Sequence, residues 1–534
     1  MGKQWLVPFA VTLLAVGSAH GQKLDDAGFL TAIGELREAT YSDKATIAQR
    51  LIQSGHPRVH DVLTPLLEDR LAFRNDDNRP FILKSAEGDP VVLIDPLSLK
   101  ESGSAAADSV TKVGSNNTLR RTLRTELARF SLTSPDAAAR LQAVREISQS
   151  LDENTLALLR DRSAVERDAA VRKEIATGLA LGALDSDDTG TRLKALEALK
   201  GSLRQDVRNR LARIIEEDQD PKVKAAAKAA AGSIDSSRSF YSAIETLFFG
   251  LSLGSVLVLI AIGLAITFGV VGVINMAHGE LMMIGAYTTY LVQTAMPSHI
   301  GMSIVVAIPA AFLVSGFIGV LMERCIVRFL YGRPLETLLA TFGVSLILQQ
   351  AVRSIFSALN RSVVTPDWLS GSLRINDALA ITNNRLYIVL FALLVFSLVV
   401  LTLKYTRIGL NIRAVSQNRA MAKAMGIRTE WADAITFGLG SGIAGVALSQ
   451  LTNVGPNLGQ AYIIDSFVVV VFGGVGNLWG SLIGGLSMGI ANKLLEPYAG
   501  AVLSKILLLV ALIFFIQTRP RGLFPQTGRA AEDK

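Results

Sequence analysis

The sequence predicts an all-α protein: a polytopic α-helical membrane domain of eight or nine helices, preceded by an exported, mainly helical domain with HEAT-like repeats towards its end. Three observations carry this expectation. Residues before about Arg238 are rich in charge, whereas from Tyr241 to Met322 only Glu245 and Glu280 are charged. Apolar runs of about 20 residues, enough to cross a bilayer as helices, recur through the second half. Between two of these runs, residues 404–433 form a polar island in which six Lys or Arg face only Glu430 and Asp433. An excess of basic residues in a short connection places that connection in the cytoplasm.

With 534 residues the chain has room for about three or four domain equivalents. Its net charge of +7 is explained by cytoplasmic loops and the C-terminal tail. No aromatic residues interleave with a basic stripe, which argues against a nucleic-acid partner. Cys325 is the only cysteine, so an intrachain disulfide is excluded. It adjoins Glu323 and Arg324 at the end of an apolar run, where a packing role is expected.

Residues 1–21 have the pattern of a secretory signal peptide: Lys3, an apolar core over 5–16, and Ala19-His20-Gly21 as a cleavage site. An uncleaved anchor is the alternative, and either form sends the next segment across the membrane. Residues 22–238 are therefore expected in the periplasm. Helices are expected over 24–71, short β-like runs at 81–83 and 91–94, and a Ser/Ala/Gly-rich linker over 102–117. Further helices are expected over 137–151, 169–184, 191–199, 207–215 and 222–231. Asp or Pro before basic, Ala/Leu-rich helices at regular spacing suggests HEAT-type repeats, with an ordinary bundle as the alternative. His56 and His60 have the i, i+4 spacing of metal ligands. Pro57 lies between them and no third ligand is near, so two surface histidines are expected.

The membrane domain is assigned to 239–525, with spans at 243–268, 281–295, 303–322, 335–356, 386–403, 434–451, 463–475, 478–494 and 501–516. The 463–475 run is short enough to be a half-helix, hence eight or nine. Nine keeps Arg519-Pro520-Arg521 and the tail 526–534 in the cytoplasm. The connection at 270–280 has no Lys or Arg, yet it holds Asn275, His278, Gly279 and Glu280. Polar groups at membrane depth must face protein or a water-filled path, which makes these four candidates for a substrate pathway. A hairpin at the inner surface is the alternative.

Wound as one helix, residues 413–425 place Ala414, Val415, Met421, Ala422 and Met425 on about a third of the circumference. Arg413, Ser416, Gln417, Arg419 and Lys423 take the remainder, with Asn418 as a polar intruder on the apolar arc and Gly426 as the stop. Such a helix can lie in lipid headgroups, seat in a groove of a cytoplasmic partner, or be a solvated basic loop. Glycines crowd the second half. Gly440, Gly442 and Gly445 formally match a dinucleotide fingerprint, but no strand precedes them, and small-xxx-small helix packing explains the run better.

No P-loop, H-E-x-x-H, G-x-S-x-G or Cys/His metal cluster occurs in the sequence. Neither catalytic residues, a metal nor a cofactor is expected, and the chain does not read as an enzyme. Many spans with little charge and a basic segment inside suggest energy supplied by another subunit.

Several segments resemble permease subunits of branched-chain amino acid-type ABC transporters. They are Gly272 to Glu280 followed by Gly285-Ala-Tyr287, Glu323-Arg324 with Thr337 to Gln349, Arg413 to Ile427, Gly473 to Gly480, and Arg519 to Phe524. The exported extension makes the chain most similar to the urea permeases of that family, the UrtB type. The resemblance implies a urea importer with a second permease subunit, two cytoplasmic ATPase subunits, a periplasmic substrate-binding protein and membrane lipid around the spans. It further implies that Arg413, Val415, Asn418, Met421, Met425 and Gly426 form the helix that couples to the ATPase. Branched-chain amino acids or short amides as substrate, an uncoupled channel or secondary carrier, and a membrane-anchored scaffold stay open as alternatives.

Overall fold

The computed structural model describes residues 24–85, 89–149, 151–439 and 443–525. The expected signal peptide, the tail 526–534, and Gly440 and Gly442 lie outside them. The chain divides into two compact units, Met1–Ile234 and Asp235–Lys534.

In the first unit, helices α1 (Asp26–Glu35), α2 (Tyr41–Gln53) and α3 (Val59–Leu67) precede an antiparallel sheet. Its strands are β1 (Leu71–Arg74), β2 (Pro80–Leu83), β3 (Val91–Ile94), β4 (Glu101–Ala105) and β5 (Val110–Lys112), in the order β4-β3-β2-β1-β5. This sheet departs from the all-α expectation. The segment expected as a linker holds both edge strands, with Val92 opposite Ser104 and Phe73 opposite Thr111. Small polar residues can supply backbone hydrogen bonds at a sheet edge without any apolar alternation, so the pattern did not show. Phe29, Ile33, Leu63, Leu71, Phe73 and Leu119 form one core between helices and sheet.

Helices α4 (Asn117–Ser131), α5 (Ala137–Ile147), α6 (Glu153–Val165), α7 (Ala169–Ala183), α8 (Thr189–Leu199) and α9 (Gln205–Glu217) follow. Asn116, Asp136, Asp152, Asp168 and Asp188 each accept a first-turn backbone N–H, which is why α4 to α8 start where they do. Helices α4 and α6 escaped the sequence reading; α4 follows directly on the segment read as a linker, and α6 buries little besides Thr155 and Leu159. Between α5 and α7, the buried Glu166 accepts from Arg140 at 2.8 and 2.9 Å and from Arg162 at 2.8 Å. His56 is not a surface residue as expected. It is buried, stacked on Phe29 at 4.0 Å and hydrogen-bonded to Asp26 at 3.0 Å, whereas His60 is exposed.

The division between the units falls within α10 (Pro221–Val271). The second unit continues with α11 (His278–Ala295), α12 (Ile300–Cys325), α13 (Pro334–Phe356) and a hairpin of β6 (Ser372–Asn376) and β7 (Leu379–Thr382). Then come α14 (Asn383–Tyr405), α15 (Arg407–Gln417), α16 (Arg419–Ala424), α17 (Thr429–Leu439), α18 (Ile443–Ser449), α19 (Leu458–Gly473) and α20 (Leu478–Thr518).

Among the described residues, five helices are long and apolar enough to cross a membrane: Pro221–Val271, Pro297–Cys325, Pro334–Phe356, Asn383–Tyr405 and Leu478–Thr518. This differs from eight or nine for identifiable reasons. Leu478–Thr518 is two helices end to end, interrupted at Gly500 with φ 76° and ψ 165°. Helix α11 has 18 residues and is buried almost all round, α19 has 16, and α17 and α18 lie on either side of residues 440–442. Small residues let these helices meet at their backbones. A Cβ on Gly489 would stand 2.2 Å from the Gly254 nitrogen, so α10 and α20 touch where neither can carry a side chain. Cys325 is exposed, contrary to the packing role expected of it.

Candidate functional site

Two places in the second unit bring the candidate residues together. The first begins where α10 ends. Gly272 adopts φ +73°, which releases the chain from the helix, and α11 starts only at His278. The intervening turn is held by polar atoms. The Met276 N–H donates to Thr341 Oγ1 at 3.2 Å, and the Ala277 N–H donates to Asn275 Oδ1 at 3.0 Å. His278 Nε2 lies 3.2 Å from the Ile260 carbonyl oxygen. Glu280 Oε1 accepts from Ser345 Oγ at 3.1 Å and from Gln349 Nε2 at 2.8 Å. Asn275, His278 and Glu280 are all fully buried. A Cβ on Gly279 would lie 2.6 Å from the Gly459 carbonyl oxygen, so this glycine is the crossing point of α11 and α19.

The four candidates of this segment therefore share one buried region against α10, α13 and α19. The hairpin tip considered as the alternative would leave His278 and Glu280 exposed, and they are not. Ser345 and Gln349, the partners of Glu280, were missed. A signal for them exists: Thr337, Thr341, Ser345 and Gln349 recur every four residues along an apolar helix, and all four are buried.

The second place is the basic segment. The single amphipathic helix expected over 413–425 is two helices. Asn418 leaves the helical region, with φ −154° and ψ 100°, and its side chain accepts from the Met421 N–H at 2.9 Å. The residue read as a polar intruder is thus the N-cap of α16. The break also divides the apolar arc. Val415 and Ala422 are 3% and 5% exposed and pack with Ala432, whereas Met421 and Met425 are 60% and 76% exposed. Gly426, at φ +84°, ends α16 with its N–H on the Lys423 carbonyl at 3.1 Å.

The basic residues are also not all outward. Arg413 donates to the Leu403 carbonyl. Arg419 donates to the fully buried Asp433, with Nη1 to Oδ1 at 3.3 Å, and its guanidinium stacks on the Tyr331 ring at 4.5 Å. The Tyr331 hydroxyl donates to Glu323 Oε1 at 2.7 Å. Burial pushes the Tyr331 hydroxyl pKa up, and the negative charges of Asp433 and Glu323 push the same way, so it stays a donor. Arg324 donates to Glu430 at 3.3 Å and lies over the Trp431 ring at 4.6 Å. This continuous polar network joins the end of α12, the turn after it, α16 and the start of α17. It braces the segment from behind, leaving Met421 and Met425 on its outer surface.

No solved structure matches the chain. Six curated relatives do, among them the following three. The high-affinity branched-chain amino acid transport system permease protein LivH of Salmonella typhimurium is 30% identical over 323 residues, covering 56% of this chain and 99% of the relative. LivH of Escherichia coli K12 is 30% identical over 311 residues with the same coverage. BraD of Pseudomonas aeruginosa, of the same description, is 29% identical over 307 residues, covering 55% and 98%. Residues 246–516, which contain both places described above, match the family model described as branched-chain amino acid transport system, permease component. With half of its length in that match and nearly the whole of each relative represented, the chain belongs to the permease family of branched-chain amino acid transport systems.

Proposed function

We propose that this chain is the permease subunit of an ABC importer for branched-chain amino acids, with energy supplied by separate subunits. It works with a second permease subunit, two cytoplasmic ATPase subunits and a periplasmic substrate-binding protein, in a bacterial inner membrane. The observation that carries the reading is the exposed pair Met421 and Met425 on a segment braced internally by Arg419–Asp433. Flexible apolar side chains on a rigid, basic, cytoplasmic support suit a groove on an ATPase. The buried group at Asn275, His278, Gly279 and Glu280 holds α11 in place beside the substrate path. The helices after Ser134 form a periplasmic HEAT-type stack, and eight or nine segments span the membrane.

The relatives are named for branched-chain amino acids, which favours that substrate over urea. A second reading, urea or a short amide, rests on the N-terminal unit, which lies outside the family match at 246–516. Growth of a deletion strain on leucine or on urea as sole nitrogen source separates the two. The proposed function predicts a defect on leucine restored by the gene. A defect confined to urea would reverse the choice.

A further inference from the structure

Helices α10, α19 and both halves of α20 line a half-open cavity of ≈ 400 Å³, within the size range of small-molecule sites. Its wall is mainly aliphatic, including Leu253, Leu257, Val468 and Met488. Two ion pairs also line it. Lys505 Nζ donates to Asp465 Oδ2 at 2.7 Å, and Lys493 Nζ donates to Glu496 Oε2 at 2.5 Å. Asp465 and Lys505 interrupt otherwise apolar stretches, IIDSFVVVV and VLSKILLLV. Ionisable residues in such helices are costly and mark substrate paths by default.

We propose that this cavity binds the free α-amino acid, with Asp465 facing its ammonium, Lys505 facing its carboxylate, and the aliphatic wall taking the branched side chain. The inference rests on the proposed amino acid substrate and assigns it a place. The chemistry is a balanced exchange. Opening the Lys505–Asp465 pair, whose side chains are 48% and 27% exposed, leaves two charges without a partner beside a largely apolar wall. A zwitterion supplies one partner to each, whereas a neutral amide such as urea supplies none and an ion of one sign supplies only half. The pair thereby discriminates by what it leaves uncompensated.

The test uses the full chain in its assembled importer, in membrane vesicles, with radiolabelled leucine. The neutral double variant Asp465→Asn/Lys505→Gln and the charge-swapped Asp465→Lys/Lys505→Asp are compared with the parent at measured membrane levels. A pair that only joins α19 to α20 works in either polarity, so the swap would restore uptake. A pair that orients a zwitterion against a fixed apolar wall does not survive reversal. Both variants are expected to lose at least tenfold in leucine uptake, and parental uptake by the swap overturns the assignment.

A second measurement needs no variant. Binding to the parent permease–ATPase complex, without the substrate-binding protein, is followed by saturation-transfer NMR. Leucinamide and 4-methylpentanoate, which carry one charge each, are expected to bind at least tenfold more weakly than leucine, and equal binding overturns the assignment. An importer that takes up urea but no leucine removes the substrate reading and the cavity with it. Leucine uptake undiminished in both variants removes the cavity alone.

Discussion

Glu280 is the residue on which the buried group turns. Replacing it by alanine removes the common acceptor of the Ser345 hydroxyl and the Gln349 amide; the amide keeps Ser345 Oγ at 3.2 Å, so the hydroxyl is the donor left unpaired, at about 1–3 kcal/mol. We expect Glu280→Ala to lower the thermal unfolding midpoint of the detergent-purified complex, and Glu280→Gln, which keeps an acceptor, to lower it less. An unchanged midpoint in Glu280→Ala would show that the two bonds hold nothing in place. Asn275, His278 and Glu280 were legible in the sequence because they are polar residues in a break between apolar runs. Ser345 and Gln349 were not selected, because small or neutral polar residues within an apolar helix also serve plain packing. Only their contact with Glu280 gives them a role. Asn418 shows a different limit. A helical projection assumes unbroken geometry, and a residue that ends one helix and caps the next looks like a misplaced polar group until the backbone is known.

At the scale of elements, α16 is held and offered by different residues. Met425 is exposed, so Met425→Glu leaves the fold intact while placing a charge where an apolar groove is expected. The assembled complex should lose substrate-stimulated ATP hydrolysis and retain less ATPase subunit on pull-down, with normal permease levels. Normal hydrolysis would make α16 a membrane-surface segment and nothing more. Arg419→Ala should act differently: it strands the buried Asp433, a change that typically costs about 3–5 kcal/mol, and membrane levels of the chain should fall.

In the N-terminal unit, the Arg140 guanidinium holds the Glu166 carboxyl well below the usual carboxylate range, helped by backbone N–H groups and Arg162 and opposed by burial. A carboxyl with a depressed folded pKa contributes stability that is complete above its unfolded value of about 4.3. That contribution is lost as pH falls towards the folded value. Protection of α5–α7 amides in hydrogen exchange on the full chain should therefore decline below pH 4. In Glu166→Gln the protection should be lower at neutral pH and decline less on acidification. Equal pH dependence in both proteins would contradict this assignment.

At the scale of the molecule, the division into a charged first part and an apolar second part was readable from composition. It reflects two solvents, and composition reports solvent directly. The separation of 478–494 from 501–516 was readable too: α20 is interrupted between them at Gly500, with φ 76° and ψ 165°. The sheet at 71–112 was partly legible: the apolar runs of β2 and β3 showed themselves, whereas β1, which begins at the end of the stretch expected to be helical, and the polar edge strands did not. The proposed topology places 22–235 outside and 404–433 inside. Cysteine introduced at Ser416 in a Cys325→Ala background should resist an impermeant thiol reagent in intact cells and react after permeabilisation. Labelling in intact cells would overturn both the orientation and the docking of ATPases on α16.

The central claim is that this chain carries a branched-chain amino acid through the membrane at the expense of ATP hydrolysed elsewhere. It is tested most directly by uptake of radiolabelled leucine into proteoliposomes containing the complete complex, with ATP inside and the substrate-binding protein outside. The account predicts accumulation of leucine above the external concentration, abolished by omitting ATP or by leaving this subunit out. Leucine entry that proceeds without ATP and stops at equal concentrations, or accumulation that persists without this chain, would contradict it.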